Sequence, residues 1–509
     1  MEKFPFCMAT QHPDNAKSPY WLKHSAFIDT RSEIEEAYRC FSELKIPEYM
    51  WDWEGKHVDE SVTERLLEKY SDFFLKNQLG NQEYLTFRVP NPWEEGGYKL
   101  ARAFVNIISS NDLACKFELK TPPIYQAILP MTQNAEQLFW MRKKYRQLAS
   151  AIAKTELHPT SNHISGPSDL DWIPLVETTQ AMTESSSIFL KYMNLCKKAN
   201  FPKLEYLRPF IARSDPALNS GFIAATLSAS VCLSECEKFT QESSIPTYPI
   251  IGVGCLPFRG GFTPYSIDVF FKQYAGVVTP TVQSSYRYDY PTLSVKKSIE
   301  KLRIKKIKKS SILSPSAKKE QLRLIQISSD NYQLTLEQIT ELVNIISKFV
   351  PSRRERKQHI GLFGYSRKVG KSSLPRAISF TASLYSIGVP PEIIGISNTI
   401  AQIKSEGLYS CLEDSTPSLI PCLKSVMPFV NFRNLKYLST KSKWASAFKS
   451  IINDVESIEE KFAINCDPVD IISQEHQNLT SSILKSGLKG LKSTTSKIEE
   501  SAILRKSIG

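Results

Sequence analysis

The stretch Leu207–Asp215, LRPFIARSD, carries a short apolar run that ends in charged residues and is followed by a helix-like segment. Seven other segments repeat the design: Tyr49–Glu54, Tyr84–Arg88, Gln126–Thr132, Trp172–Glu177, Ile250–Leu256, Val278–Gln283 and Ile360–Arg367. Buried strands that alternate with helices predict a parallel sheet, and eight such units predict a closed (β/α)8 barrel of the α/β class. Between the strands, helical periodicity covers Val62–Asn77, with Leu66, Tyr70, Phe73 and Phe74 on one face, and Ala135–Lys154. The expected division is one catalytic domain over 1–509. Its barrel covers about 1–390, with a lysine-rich polar excursion at 305–330 before the eighth strand. A helical extension covers about 391–509, and 477–509 reads as a basic, serine-rich tail. Helices are expected at Leu336–Val350, Ser373–Ile387 and Val455–Ala463.

Composition narrows the function. No uninterrupted apolar run reaches the ~18–20 residues of a membrane span, and MEKFPFCMATQHPD lacks a basic-then-apolar export signal. The chain therefore reads as soluble and cytoplasmic, with no membrane partner. Its ten cysteines include no C-x-x-C pair, which favours buried reduced thiols over zinc or disulfides. The net charge of +12 is densest over Lys296–Lys309, where eight basic residues face one glutamate. No aromatic interleaves them to stack on bases, so a solvated lysine-rich segment is expected rather than a nucleic-acid site. The stretch GYSRKVGKS, Gly364–Ser372, has five residues between its first glycine and Gly-Lys-Ser. A phosphate-cradling loop needs four, so a nucleotide hydrolase is disfavoured.

In a barrel, residues at the C-terminal strand ends converge on one face. They nominate Asp52, Glu54, Arg88, Glu177, Asp215, Arg259 and Arg367. Glu177 and Asp215 suit a hard divalent cation, Mg2+ or Mn2+, that keeps water or substrate ligands; capping of the helix that follows each is the competing reading. Arg88, Arg259, Arg287 and Arg367 offer guanidinium forks for a phosphate and a carboxylate, and Gly260 and Gly261 let an anion approach the backbone beside Arg259. Together these features predict a small, multiply anionic substrate. His12, before a proline in a polar loop, reads by composition as a turn residue.

The ordered blocks CMATQHPDNA, MWDWEGK, LTFRVPNPWEEGGYKLARA, AILPMT, IPLVETTQAM, RPFIARSDPALNSG, GVGCLPFRGG, HIGLFGYSR and LPRAISFTASLYSIGVPPEIIG resemble the short, archaeal-type phosphoenolpyruvate carboxylases from residue 7 to about 397. The likeness resumes at ILRKSIG. It implies a phosphoenolpyruvate/pyruvate-type barrel with extra helices, commonly in a homotetramer. The implied reaction is phosphoenolpyruvate plus bicarbonate to oxaloacetate plus phosphate, with Mg2+ or Mn2+. By motif, Glu177 and Asp215 would hold the metal, His12 would manage the bicarbonate-derived carboxyphosphate, and Arg259 would anchor its anionic oxygens, with Arg367 a further anion contact. A P-loop hydrolase, a basic nucleic-acid-binding protein and another metal-dependent barrel lyase or aldolase are the rivals; bicarbonate dependence separates the last.

Overall fold

The computed structural model describes residues 4–22, 25–55, 58–155, 168–355, 368–369 and 372–509. Eight parallel strands form a closed ring: β1 Met8–Ala9, β2 Glu48–Asp52, β3 Tyr84–Arg88, β4 Gln126–Leu129, β5 Asp171–Val176, β6 Phe210–Ala212, β7 Ile250–Gly252 and β8 Thr279–Val282. The (β/α)8 expectation holds, with one correction to its strands. The ring closes through β1, in which Met8 lies opposite Glu48 on one side and Thr281 on the other. The segment Ile360–Arg367, expected as the eighth strand, lies outside the described residues, and so does Arg367. Two residues give too short a run for periodicity to register, so β1 is defined by its hydrogen-bonded neighbours alone. Just after the segment expected as a strand, Lys368–Val369 and Ser372–Ser373 pair as a separate antiparallel sheet.

The helix at Ala135–Lys154 falls where predicted, capped by Asn134, whose side chain accepts the Gln137 N–H at 3.0 Å, with Leu138, Met141 and Tyr145 buried. The expected Val62–Asn77 helix is broken at Tyr70 into Val62–Lys69 and Ser71–Phe74. At the lower end of the barrel, a buried ion pair fills the interior. Arg208 donates to both oxygens of Glu48, at 2.9 and 2.8 Å, and the Thr86 hydroxyl donates to the same carboxylate at 2.6 Å.

The region 305–330 differs from a polar excursion. Only 305–314 is irregular, and Pro315–Ser347 is a helix of 33 residues. Ser314 caps it and Pro315 occupies its first turn, where a missing N–H costs nothing. Its lysines lie in the first turns, while Leu324, Ile327, Tyr332, Leu336 and Ile339 recur on one face and are buried. The expected tail is likewise two helices, Ile471–Leu488 and Thr494–Arg505, whose last residues return to the barrel. Cys7, Cys40, Cys196, Cys232, Cys236 and Cys255 are free and buried.

The 30-residue helix Ser214–Ser243 joins the two halves. It is long and apolar enough to cross a bilayer, but 89% of its most apolar window is buried inside the protein. Ala229, Cys232 and Phe239 pack in the barrel core, and Ala217, Phe222 and Leu227 in the core of the C-terminal helices. A kink at Gly221, with φ 82° and ψ 172°, lets the helix serve both. That conformation is essentially restricted to glycine, and a Cβ there would sit 2.7 Å from Tyr332 Cγ. Gly221→Ala is therefore expected to lower stability by about 2–4 kcal/mol, read as a fall in the urea midpoint.

Glu83, just before β3, has one carboxylate oxygen sealed from solvent without a hydrogen-bond partner, and burial lifts its pKa from 4.5 to about 8. The folded value lies above the unfolded one. Stability linked to Glu83 is therefore complete at acid pH and lost as pH rises from about 4 to about 8. Glu83→Gln should outlast the wild type in urea at pH 8.5 by a wider margin than at pH 5.

Candidate active site

β1 leads directly into Thr10-Gln11-His12-Pro13-Asp14, so His12 stands just beyond a strand end with the other site residues. Its Nδ1 lies 2.8 Å from the Thr10 hydroxyl, which orients the ring. Asp14 is fully buried. Its carboxylate accepts the Ser285 N–H at 2.7 Å and pairs with Arg259 at 3.0 Å, while its carbonyl accepts the Ile508 N–H at 2.9 Å. Burial raises the Asp14 pKa, and the Arg259 charge opposes the rise. Two residues on, Asp289 accepts the Ala16 and Lys17 N–H groups at 2.8 and 2.7 Å and pins the chain.

Arg259 ends a 3-10 turn after β7 and is 1% exposed. It donates to the Ser214 hydroxyl at 3.1 Å, to Asp14 at 3.0 Å, to the Gly509 main-chain oxygen at 2.8 Å and to Gln283 at 2.6 Å. These contacts engage four of the five guanidinium N–H groups. Arg259 thus presents a fixed charge with one N–H to spare rather than an open fork. Gly260 and Gly261 are not in the cavity lining. Their φ values of 116° and 69° shape the turn, and their N–H groups bond the Pro257 and Leu256 carbonyls at 2.9 and 3.0 Å.

Glu177 follows β5 and accepts the Met131 N–H at 2.7 Å; Asp215 lies in the first turn after β6. Thr178, not Glu177, caps the helix Thr179–Thr183, which removes the capping reading for Glu177. The Glu177 pKa is raised well above the carboxylate range by burial, and then by the negative charges of Glu54 and Asp215 beside it. Oxygen-only donors crowded against their own repulsion suit a hard divalent cation, so the residues present fit Mg2+ or Mn2+. Among the described residues no group of three or more His, Cys, Asp or Glu side chains is placed to hold a metal, so water and substrate would complete the shell of an ion held by Glu177 and Asp215. Arg88 forms a bidentate pair with Asp52 at 2.8 and 2.6 Å and reaches Glu54 at 3.1 Å.

His12, Glu54, Arg88, Glu177, Asp215 and Arg259 line one cavity of about 250 Å³ at the C-terminal strand ends. Arg287 does not join them. It is fully buried against Glu36 at 2.8 Å and the Thr10 carbonyl at 3.1 Å, and Arg354 clasps Glu36 from the other side at 2.7 Å. Despite burial, the two guanidinium groups bring the Glu36 pKa down to about 2. Arg287 is correctly placed after β8 by the sequence, but its side chain turns back into the protein. Arg353 and Arg354 do line the cavity, and Arg353 bonds the Asn15 and Ala16 carbonyls and Glu499. The sequence reading misses Arg376, which lines the cavity from the N-cap of the helix Ala377–Ser386. Predicting that helix from Ser373 places Arg376 in its interior; Pro375 marks the true start.

A closed parallel barrel whose strand ends gather carboxylates and guanidinium groups in one small cavity is the frame of an enzyme for a small anionic substrate. The chain belongs to the phosphoenolpyruvate carboxylase family, carboxy-lyases by class. That family's model matches residues 4–509. The chain is 36% identical to a phosphoenolpyruvate carboxylase of Oenococcus oeni over 100% of this chain and 99% of the relative. It is also 36% identical to one of Metallosphaera sedula, covering 100% of both chains. A third, from Pyrococcus horikoshii, is 39% identical over 88% of this chain and 94% of the relative.

Arg287→Ala should cost about 3–5 kcal/mol in urea unfolding, because it leaves a buried carboxylate half-paired. Arg376→Gln should stay within about 1 kcal/mol of wild type and weaken binding of an anionic substrate roughly ten- to a hundred-fold, read as KM.

Proposed function

We propose that this cavity converts phosphoenolpyruvate and bicarbonate into oxaloacetate and phosphate. The observation that carries the reading is the meeting of His12, Glu177, Asp215 and Arg259 around one cavity in a chain of this family. Bicarbonate oxygen attacks phosphorus to give carboxyphosphate and the enolate of pyruvate. Carboxyphosphate then releases CO2, which the enolate carbon captures. Held by Glu177 and Asp215, Mg2+ or Mn2+ would supply positive charge where the enolate oxygen becomes negative.

This chain's own groups do the rest. Arg259, locked by Asp14 and Gln283, sets a fixed positive charge for the transferring phosphoryl group without reorganising during the reaction. Arg376 and Arg88 add guanidinium groups to the same lining. His12, oriented by Thr10, accepts the carboxyl proton as carboxyphosphate breaks down. The buried walls keep water from protonating the enolate. The reading extends to a cytoplasmic homotetramer, which rests on the family resemblance.

Oxaloacetate formation, followed through malate dehydrogenase and NADH, should require both bicarbonate and Mg2+ or Mn2+. It should fall at least about 100-fold in His12→Asn with the fold intact. Consumption of phosphoenolpyruvate without bicarbonate and without oxaloacetate would reject the carboxylase in favour of another barrel lyase or aldolase.

A further inference from the structure

The lysine-rich run Lys296–Lys309 has no part in the chemistry above, yet it lies beside a second cavity. This cavity, of about 300 Å³, opens at the N-terminal ends of β1, β2, β3 and β8, the end of the barrel away from His12. Phe4, Phe6, Tyr84, Phe271, Leu302 and Ile307 form its apolar wall. Arg303 and Lys305 stand among them, and its described lining contains no carboxylate.

Neither cation is firmly committed. Lys305 lies 4.8 Å from the centre of the Phe271 ring, and its acidic partner is Asp268 at 3.9 Å, a carboxylate that Lys301 already holds at 2.7 Å. The Lys305 side chain is only 24% exposed, whereas Asp268 is 73% exposed. Arg303 pairs with Glu300 one turn back on its own exposed helix surface, a contact worth about 0.2–0.5 kcal/mol. Lys306 and Lys308 follow immediately and raise the local positive potential. Apolar walls with weakly engaged cations among them match a molecule that has an apolar body and an anionic end. At roughly 30 Å³ for each water-sized unit, the cavity has room for a body of about eight to ten carbon atoms.

We propose that this lower cavity is a binding site for a small amphipathic organic anion: an aliphatic chain of about eight carbons ending in a carboxylate, its chain against Phe4, Phe6 and Phe271 and its head on Arg303 and Lys305. The site is separate from the reaction cavity and does not depend on the proposed activity. It also gives the basic run a role that nucleic-acid binding does not.

The test is isothermal titration calorimetry of the full chain, with Mg2+ present, using octanoate as the probe and octyltrimethylammonium as the charge-reversed control. Octanoate should bind saturably at one site per chain. The double variant Arg303→Ser/Lys305→Ser should weaken it at least ten-fold, and Ile307→Lys, which puts a charge on the apolar wall without removing the cations, should shift affinity or stoichiometry less than the double variant. Far-ultraviolet circular dichroism and the urea midpoint, which do not depend on the proposed activity, confirm that both variants remain folded. Absence of saturable octanoate binding to the wild type, equal binding by the double variant, or equally tight binding of octyltrimethylammonium would each overturn the proposal.

Discussion

Asp14 and Arg259 form a buried ion pair, 3.0 Å apart, on which five separate parts of the chain converge. Asp14 belongs to the loop after β1, and Arg259 to the turn after β7. Ser214 contributes from the start of the helix after β6, Gln283 and Ser285 from the end of β8, and Ile508 and Gly509 from the end of the sequence. A pair sealed from water is costly to break, because the surviving charge is left without solvent or partner, about 3–5 kcal/mol in general. The consequence here is geometric. The loop that carries His12 cannot move without disturbing the guanidinium that faces the same cavity, so imidazole and guanidinium are held as one unit.

The carboxylates are held on an opposite principle. Glu54, Glu177 and Asp215 are brought together by three different strand ends although their charges repel, and burial adds to the strain on Glu177. Barrel closure keeps them there. Lower in the ring, Arg208 and Glu48 pair through both carboxylate oxygens, and beside β1 the Glu36 carboxylate is clasped by Arg287 and Arg354. These scaffold carboxylates are paired with guanidinium groups, whereas the strand ends hold three carboxylates against their own repulsion, where a cation would relieve it.

Much of this was legible in the sequence. Seven of the eight ring strands lie, to within one residue at the start, inside segments marked by apolar runs, because a strand buried on both faces must be apolar along its length. Glu54, Arg88, Glu177 and Asp215 are legible because they end such segments, and Arg259 because it lies in the loop that follows one. His12 escaped that logic, since β1 is two residues long, and it was reached only through the resemblance of its surrounding motif. Arg376 escaped because its cavity is approached from a helix start rather than a strand end. The helix Pro315–Ser347 was partly hidden by lysines, which dominate composition but occupy only its opening turns.

The sequence by itself determined the barrel, its alternating elements and the residues at the strand ends, since periodicity and local charge are properties of neighbouring residues. Tertiary structure decided which side chains share a space. It turned Arg287 inward to Glu36, spent most of Arg259 on holding the site together, brought Gly509 to within 2.8 Å of that guanidinium and completed the ring with Met8–Ala9. Those outcomes depend on contacts across 250 or more positions of sequence, as between Arg259 and Gly509, where no local pattern reaches. Their direction was set by the cost of leaving a buried charge or hydrogen-bonding group without a partner.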